Sequence, residues 1–342
     1  MLTGKERLER AFSKQPLGFK PCICPGGMMN MITQELMSVS GYEWPAAHTD
    51  AALMAKLAYA SYEQGCFDNV GVPFCMTVEA EALGAMVSLG SREVEPHVTG
   101  YALDSVLDWE RLRVAPVTEG RMAVAVEAIR MLREMDPEIP VVGNVVGPVS
   151  VASSVVEALS FYKSLRKHPD AAHCVLKVVA QQVADFAVAQ AQAGADVITI
   201  SDPSGTGEIL GPKLFEEYTV RYLNVVLDAL KPTDVRTIVH ICGQTHSVYP
   251  QLAKVKSDGL SFDAVVSLAK AREALGSHVL VGNVSTFALE RSDSQKIASL
   301  VGASVKAGAD IVAPACGLGT GTPLANVRAM RDACRGYAQE GE

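Results

Sequence analysis

Short apolar runs recur along the chain, each closed by a glycine, a proline or a polar residue, and longer stretches with a helical period lie between them. Residues 141–148, 197–203, 237–243, 259–263, 278–283 and 311–317 are six such runs. Two earlier ones, 19–25 and 67–73, complete a set of about eight, and continuous Val/Ile-rich runs of this length predict strands buried on both faces. The intervening pattern predicts helices over 49–64, 119–135, 149–165, 169–193, 212–230, 264–274, 293–306 and 323–337. A short amphipathic helix opens at Thr3, with Leu8, Ala11 and Phe12 on one side, and stops before Pro16. Residues 86–105 alternate and contain Gly90 and Gly100, which predicts a small hairpin excursion. Strands alternating with helices make a parallel α/β fold, and eight such units predict a (β/α)8 TIM barrel. The expected architecture is one domain, residues 1–342, with a small N-terminal hairpin and helical insertion. The tetrapeptide Ala-Gly-Ala-Asp occurs at 193–196 and again at 307–310, each time at a helix-to-strand junction. No G-x-G-x-x-G turn follows a first strand, which argues against a dinucleotide-binding sheet.

Composition narrows the function classes. The chain of 342 residues is 49% hydrophobic, ample for one large core, and carries a formal net charge of −8. That balance, with no Lys/Arg cluster, argues against nucleic acid or an anionic membrane as partner. The N-terminus is charged and lacks an apolar signal core, and no uncharged run is long enough to span a bilayer. Eight cysteines at irregular spacing do not form a disulfide framework, so a reduced, cytoplasmic setting is expected.

In a barrel of this kind the chemistry sits at the C-terminal ends of the strands. The polar residues there are Asn69, Asn144, Asp202, His240, Cys242, Asp263, Asn283 and Cys316. A strand points residues i and i+2 to one face, so His240 and Cys242 present an imidazole and a thiol side by side. Cys316 ends the last strand and can reach the same mouth. Two thiolates and an imidazole, with a fourth position open, are expected of a catalytic Zn2+ rather than a structural one. The competing reading of His240 and Cys242 is a core strand that happens to hold both. Cys22 and Cys24, also two apart at the end of an early strand, are the rival metal pair. A zinc ion with two thiolate ligands is a poor source of hydroxide but suits the activation of a substrate thiol, which points to alkyl transfer to sulfur.

These residues resemble a known family. The stretch 237–243 (TIVHICG), the V-E-A-E-containing loop at 76–84 and the CGLGTGTPLAN segment at 316–326 are similar to the methylcobalamin:coenzyme M methyltransferases of the uroporphyrinogen decarboxylase superfamily. The N-terminal GKERLERAFSKQP also resembles the family start, so the likeness spans the chain. The resemblance implies that His240, Cys242 and Cys316 ligate zinc. It also implies that the zinc activates an acceptor thiol such as coenzyme M, which takes a methyl group from methylcobalamin. The methylcobalamin is expected on a partner corrinoid protein, since the chain has no D-x-H-x-x-G pattern for ligating cobalt itself. Tetrahydrofolate is the alternative acceptor. The alternative reaction is metal-independent decarboxylation of a porphyrinogen. The decarboxylases carry an arginine-rich M-R-Q-A-G-R-like segment near the N-terminus, where this chain has Pro25-Gly26-Gly27-Met28-Met29 without an arginine.

The other polar positions carry more open readings. Glu81 is a candidate fourth zinc ligand or proton acceptor, or else half of an ordinary ion pair; Asp263 is a second candidate for the fourth position. Asp202 either orients the acceptor, touches the zinc through water, or caps the turn before Pro203. Asn144, Asp202, Asp263 and Asn283 are the candidate substrate-binding residues. His246 is expected on the surface. Met28, Met29 and Met31 suit either a pocket wall or core filling. Gly317, Gly319 and Gly321 make a loop that either admits a large planar ligand or is a plain turn. The protein is expected as a monomer or homodimer.

Overall fold

The computed structural model describes residues 2–25 and 31–337. Its strands are β1 (Val70–Val72), β2 (Met86–Ser88), β3 (His97–Gly100), β4 (Val141–Val146), β5 (Val197–Ser201), β6 (Arg236–Ile241), β7 (Gly259–Phe262) and β8 (Val279–Val281). Six of them form one parallel sheet in the order β1-β4-β5-β6-β7-β8. β2 and β3 are the expected hairpin excursion, paired antiparallel.

Two further segments close the sheet into a barrel. Residues 311–314 run beside β8 through the parallel bridges Val281–Ile311 and Val284–Pro314, and Cys22 bridges Val312 on the other side. Back at β1 the join is made by Asp68 N–H donating to Cys22 O (2.8 Å) and by the Asn69 side chain, which bonds both the N–H and the C=O of Cys24 (2.9 Å each). A side-chain amide thus replaces a rung of the ladder, which is why residues 19–25 show one bridge rather than a strand. The architecture is a (β/α)8 barrel.

Inward and outward positions alternate along the staves. Ile23, Val142, Val197, Ile238, Val279, Val281, Ile311 and Ala313 form the apolar floor inside the barrel. The helix Gly4–Phe12 plugs that floor from below with Leu8, Ala11 and Phe12. Its start is a capping box: Thr3 Oγ1 accepts from Glu6 N–H and Glu6 returns a bond to Thr3 N–H. Ile198, Ile200, Val239, Ile241, Leu260 and Leu280 point outward into the main core under the helices.

The repeated Ala-Gly-Ala-Asp does the same work twice. Gly194 (φ +112°) and Gly308 (φ +100°) end their helices in the left-handed region, where a side chain would be strained. Asp196 then accepts from Val141 N–H and pairs with Arg133, and Asp310 accepts from Leu280 N–H and pairs with Arg272. Each aspartate ties a strand to its neighbour at the bottom of the barrel.

Two helical expectations are corrected. The stretch 149–165 is two helices, Pro148–Val155 and Ala158–Lys167. They separate because Val155 O and Glu157 N–H bond Leu103, pairing the gap with the inserted segment. The stretch 212–230 starts earlier, at Gly207, and holds a π-helical segment Phe215–Val220 after Gly211 and Pro212 interrupt the regular pattern. Among the described residues no helix is long and apolar enough to cross a membrane. Met28 and Met29 lie outside the described residues; Met31 is buried in the core.

Candidate metal centre

Above the apolar floor, the next inward layer is polar. It is made by Asn144, Thr199, Ser201, His240 and Ser261, each two or four residues beyond a floor residue or small residue on its own strand and each buried. His240 and Cys242 follow Ile238 on the same inward side of β6, so the strand's period alone places them together. Cys316 arrives from the 311–314 stave. His240 Nε2 lies 3.2 Å from Cys242 Sγ, and Cys242 Sγ lies 3.9 Å from Cys316 Sγ. All three ligand atoms fall within 4.8 Å of one another, and this is the metal-capable group of three found among the described residues.

The set fits zinc. Tetrahedral bonds of about 2.3 Å to sulfur and about 2.0 Å to nitrogen require about 3.8 Å between sulfurs and about 3.5 Å between nitrogen and sulfur. His240 is fully buried, while both cysteines are partly open to the mouth. The two thiols lie within reach of one shared hydrogen bond. The bond from Cys242, together with His240 and Gly317 N–H, pulls Cys316 down to about 4, against burial. Cys242, which keeps the shared proton and is also buried, is pushed up.

His240 is oriented from behind. Its Nδ1 lies 3.0 Å from Ser261 Oγ, on the neighbouring strand, where His240 and Ser261 are paired in register. With Nδ1–H donating to Ser261, the Nε2 lone pair faces the two sulfurs, the tautomer a metal requires. Gly243 then turns the chain at φ +71°, where a Cβ would lie 2.1 Å from Glu208 Oε2. Glu208 accepts from Gln244 N–H (2.9 Å).

The other expected site residues are distributed around this centre. Asp263 Oδ2 accepts from Gly243 N–H (3.1 Å), one residue beyond Cys242. Asn283 Nδ2 donates to Asp263 O (2.8 Å) and Val266 O (2.9 Å), holding the loop after β7. Asp202 is buried beneath the helix Pro148–Val155; it accepts from Ser150 N–H (2.8 Å), Ser150 Oγ (2.6 Å) and Val149 N–H (3.2 Å). Burial raises its pKa, and those bonds pull it back. Asn144 Nδ2 reaches Val72 O at 3.3 Å, and its Oδ1 has no partner among the described residues. Glu81 is partly exposed and pairs with the buried Arg121 at 2.6 Å. His246 is exposed, and Cys22 and Cys24 are buried in the core.

Ser261, Glu79 and Arg121 were not singled out from the sequence. Ser261 is marked only by the register of β6 against β7, which no sequence spacing contains. Glu79 lies in the V-E-A-E segment, but the short helix Val78–Ala82 turns it inward while Glu81 faces the rim.

Comparison with known proteins gives the family of the chain. The uroporphyrinogen decarboxylase (URO-D) family model matches residues 3–337. A methylcobamide:CoM methyltransferase MtbA of Methanosarcina acetivorans is 32% identical over 98% of both chains. An MtaA of Methanosarcina barkeri is also 32% identical, over 96% of each. The solved structure of a methyltransferase from Methanosarcina mazei superposes with a TM-score of 0.91 at 33% identity, covering 98% of this chain and 99% of that one. With its barrel closed over nearly the whole matched length, the chain belongs to the uroporphyrinogen decarboxylase family, on the branch of the methylcobamide:CoM methyltransferases.

Proposed function

We propose that this protein is a zinc-dependent methyltransferase that moves a methyl group from a methylated corrinoid to a small thiol of the coenzyme M type. The observation that carries the reading is the convergence of His240 Nε2, Cys242 Sγ and Cys316 Sγ within 4.8 Å at the mouth of the barrel. Zinc held by these three would lower the pKa of a thiol entering the open fourth position and keep it nucleophilic at neutral pH. The chain's own part is orientation. Ser261 sets the imidazole, Asp263 and Glu208 fix the Cys242–Gly243–Gln244 turn, and the buried floor keeps water from behind the ligands.

The corrinoid is taken to arrive on a separate protein. Exposed apolar side chains support that approach: Ile209 on the helix Gly207–Leu214 after β5, Val265 in the turn after β7 and Phe287 on the short helix Thr286–Arg291 after β8 all stand at the end of the barrel where the cysteines open. The arginine-free stretch 25–31 supports a methyltransferase over a decarboxylase that must hold several carboxylates.

The test is zinc content together with methyl transfer. One zinc per chain is expected, lost in the Cys242→Ser/Cys316→Ser double variant. The absorption of added methylcobalamin should change on addition of coenzyme M only with the unaltered protein. Absence of zinc from protein prepared under reducing, chelator-free conditions would refute the reading.

A further inference from the structure

The underside of the barrel, at the opposite end from the cysteines, gathers more positive charge than it neutralises. Asp68, buried just before β1, is the anchor. Its Oδ1 accepts from Arg331 (2.9 Å) and Arg335 (3.4 Å), both on the last helix, Leu324–Gly336, and its Oδ2 accepts from Cys22 N–H (2.9 Å). One carboxylate thus serves two guanidiniums and a backbone N–H. Arg7, on the first helix, is a third guanidinium at the same place. It is only 9% exposed, and among the described residues no carboxylate stands within ion-pair distance of it. Its Nη2 donates to Leu2 O (3.1 Å), while Nε and Nη1 meet no acceptor among the described residues. A buried guanidinium without a counter-ion is costly and calls for an explanation.

The three arginines are close neighbours. Arg7 and Arg335 lie over the same ring, Phe19, at 4.0 and 5.9 Å from its centroid, and Arg331 lies 5.8 Å from the Tyr62 ring. Burial lowers the Arg7 pKa; Asp68 raises it, and Arg335 and Arg331 lower it again. All three arginines and both rings line one cavity of about 480 Å³. Leu2, Thr3 and Gly4 complete its wall, so the positive end of the helix Gly4–Phe12 borders the same space. Asp136 and Glu138 also line the cavity, but neither forms an ion pair with these arginines. Asp136 accepts from Glu138 N–H (2.9 Å), and Glu138 is exposed.

Three guanidiniums against one buried carboxylate leave two positive charges. A carboxylate ligand would answer one of them. A phosphate group carries about −1.5 to −2 near pH 7 and offers three acceptor oxygens, which the planar fork of an arginine binds in pairs. We propose that this cavity binds a phosphate group, free or carried on a small metabolite, with Arg7 and Arg335 as its ligands and the Asp68–Arg331 pair as their support. The occupant would join the first helix to the last across the bottom of the barrel. The site is separate from the cysteine and histidine cluster, and the proposal does not depend on the zinc–thiol reading.

Titration calorimetry with inorganic phosphate and with phenyl phosphate, at constant ionic strength set by chloride, tests the site. One saturable site per chain is expected. Arg7→Gln and Arg335→Gln should each weaken binding at least about 10-fold. The Cys242→Ser/Cys316→Ser variant should bind as the unaltered protein does, which separates this site from phosphate on a metal at the mouth. Tighter binding of phenyl phosphate would identify an organic phosphate as the occupant, and equal binding the free ion; both support the site. No saturable binding of either probe up to about 10 mM overturns the proposal, as does binding that survives both arginine substitutions or is lost in the cysteine variant. Arg335 is exposed, so Arg335→Gln should keep the circular dichroism spectrum, and its result decides by itself should Arg7→Gln unfold.

Discussion

Replacing Glu79 with glutamine should change stability in a way that depends on pH. The carboxyl is wholly buried and its pKa stands at about 7 instead of 4.5, with burial as the main cause. A carboxyl raised in this way favours the folded state below pH 4.5 and loses that contribution as pH rises to about 7. The interval from 4.5 to about 7, at about 1.36 kcal/mol per pH unit, amounts to about 3 kcal/mol that folding spends at alkaline pH to hold the ionised group. Glutamine imitates the neutral acid and removes that cost, but its amide brings one more buried donor than the acid had, a penalty of about 1 kcal/mol. The variant should therefore be slightly destabilised at about pH 4.5 and stabilised by about 2 kcal/mol at about pH 8. At about 2.1 cal/mol/K per residue, 342 residues give an unfolding entropy of about 0.7 kcal/mol/K, so the change in melting temperature should differ by about 4 °C between the two pH values. Thermal melts followed by circular dichroism read this directly. An equal shift at both pH values would falsify the buried-carboxyl argument.

Other consequences follow from the same contacts. His240→Ala or Cys316→Ser should abolish stoichiometric zinc and reduce methyl transfer at least about 100-fold while leaving the far-ultraviolet spectrum unchanged; full activity without zinc would sink the mechanism. Ser261→Ala removes the acceptor behind His240 Nδ1 and should weaken zinc binding about 10- to 100-fold in a chelator competition, with Ser261→Thr retaining more of it than alanine. Asp202→Ala strips three hydrogen bonds from the start of the helix Pro148–Val155 and should cost about 2–4 kcal/mol in urea unfolding, whether or not zinc is bound. A loss confined to the zinc-loaded form would instead place Asp202 in the metal chemistry.

The alternation of apolar strands and amphipathic helices determined the barrel, because burial on both faces leaves a characteristic run of Val and Ile in each stave. Local spacing also determined that His240 and Cys242 share a face, since the period of a strand is a local property. The first stave was only half legible: Cys22 and Cys24 hold their places partly through the side chains of Asp68 and Asn69, contacts some 45 residues distant in sequence that no local pattern encodes. Tertiary structure decided which member of the V-E-A-E pair goes inside. Two residues apart on a strand would share a face, but on a helix they stand about 200° apart, so Glu79 is buried against Val146 while Glu81 reaches Arg121 at the rim. Strand register decided that Ser261 stands behind His240, and closure of the barrel brought Cys316 within 3.9 Å of a cysteine 74 residues earlier. Those are distances between elements, set by how whole strands pack and pair, and a single sequence carries only the preferences of each element taken alone.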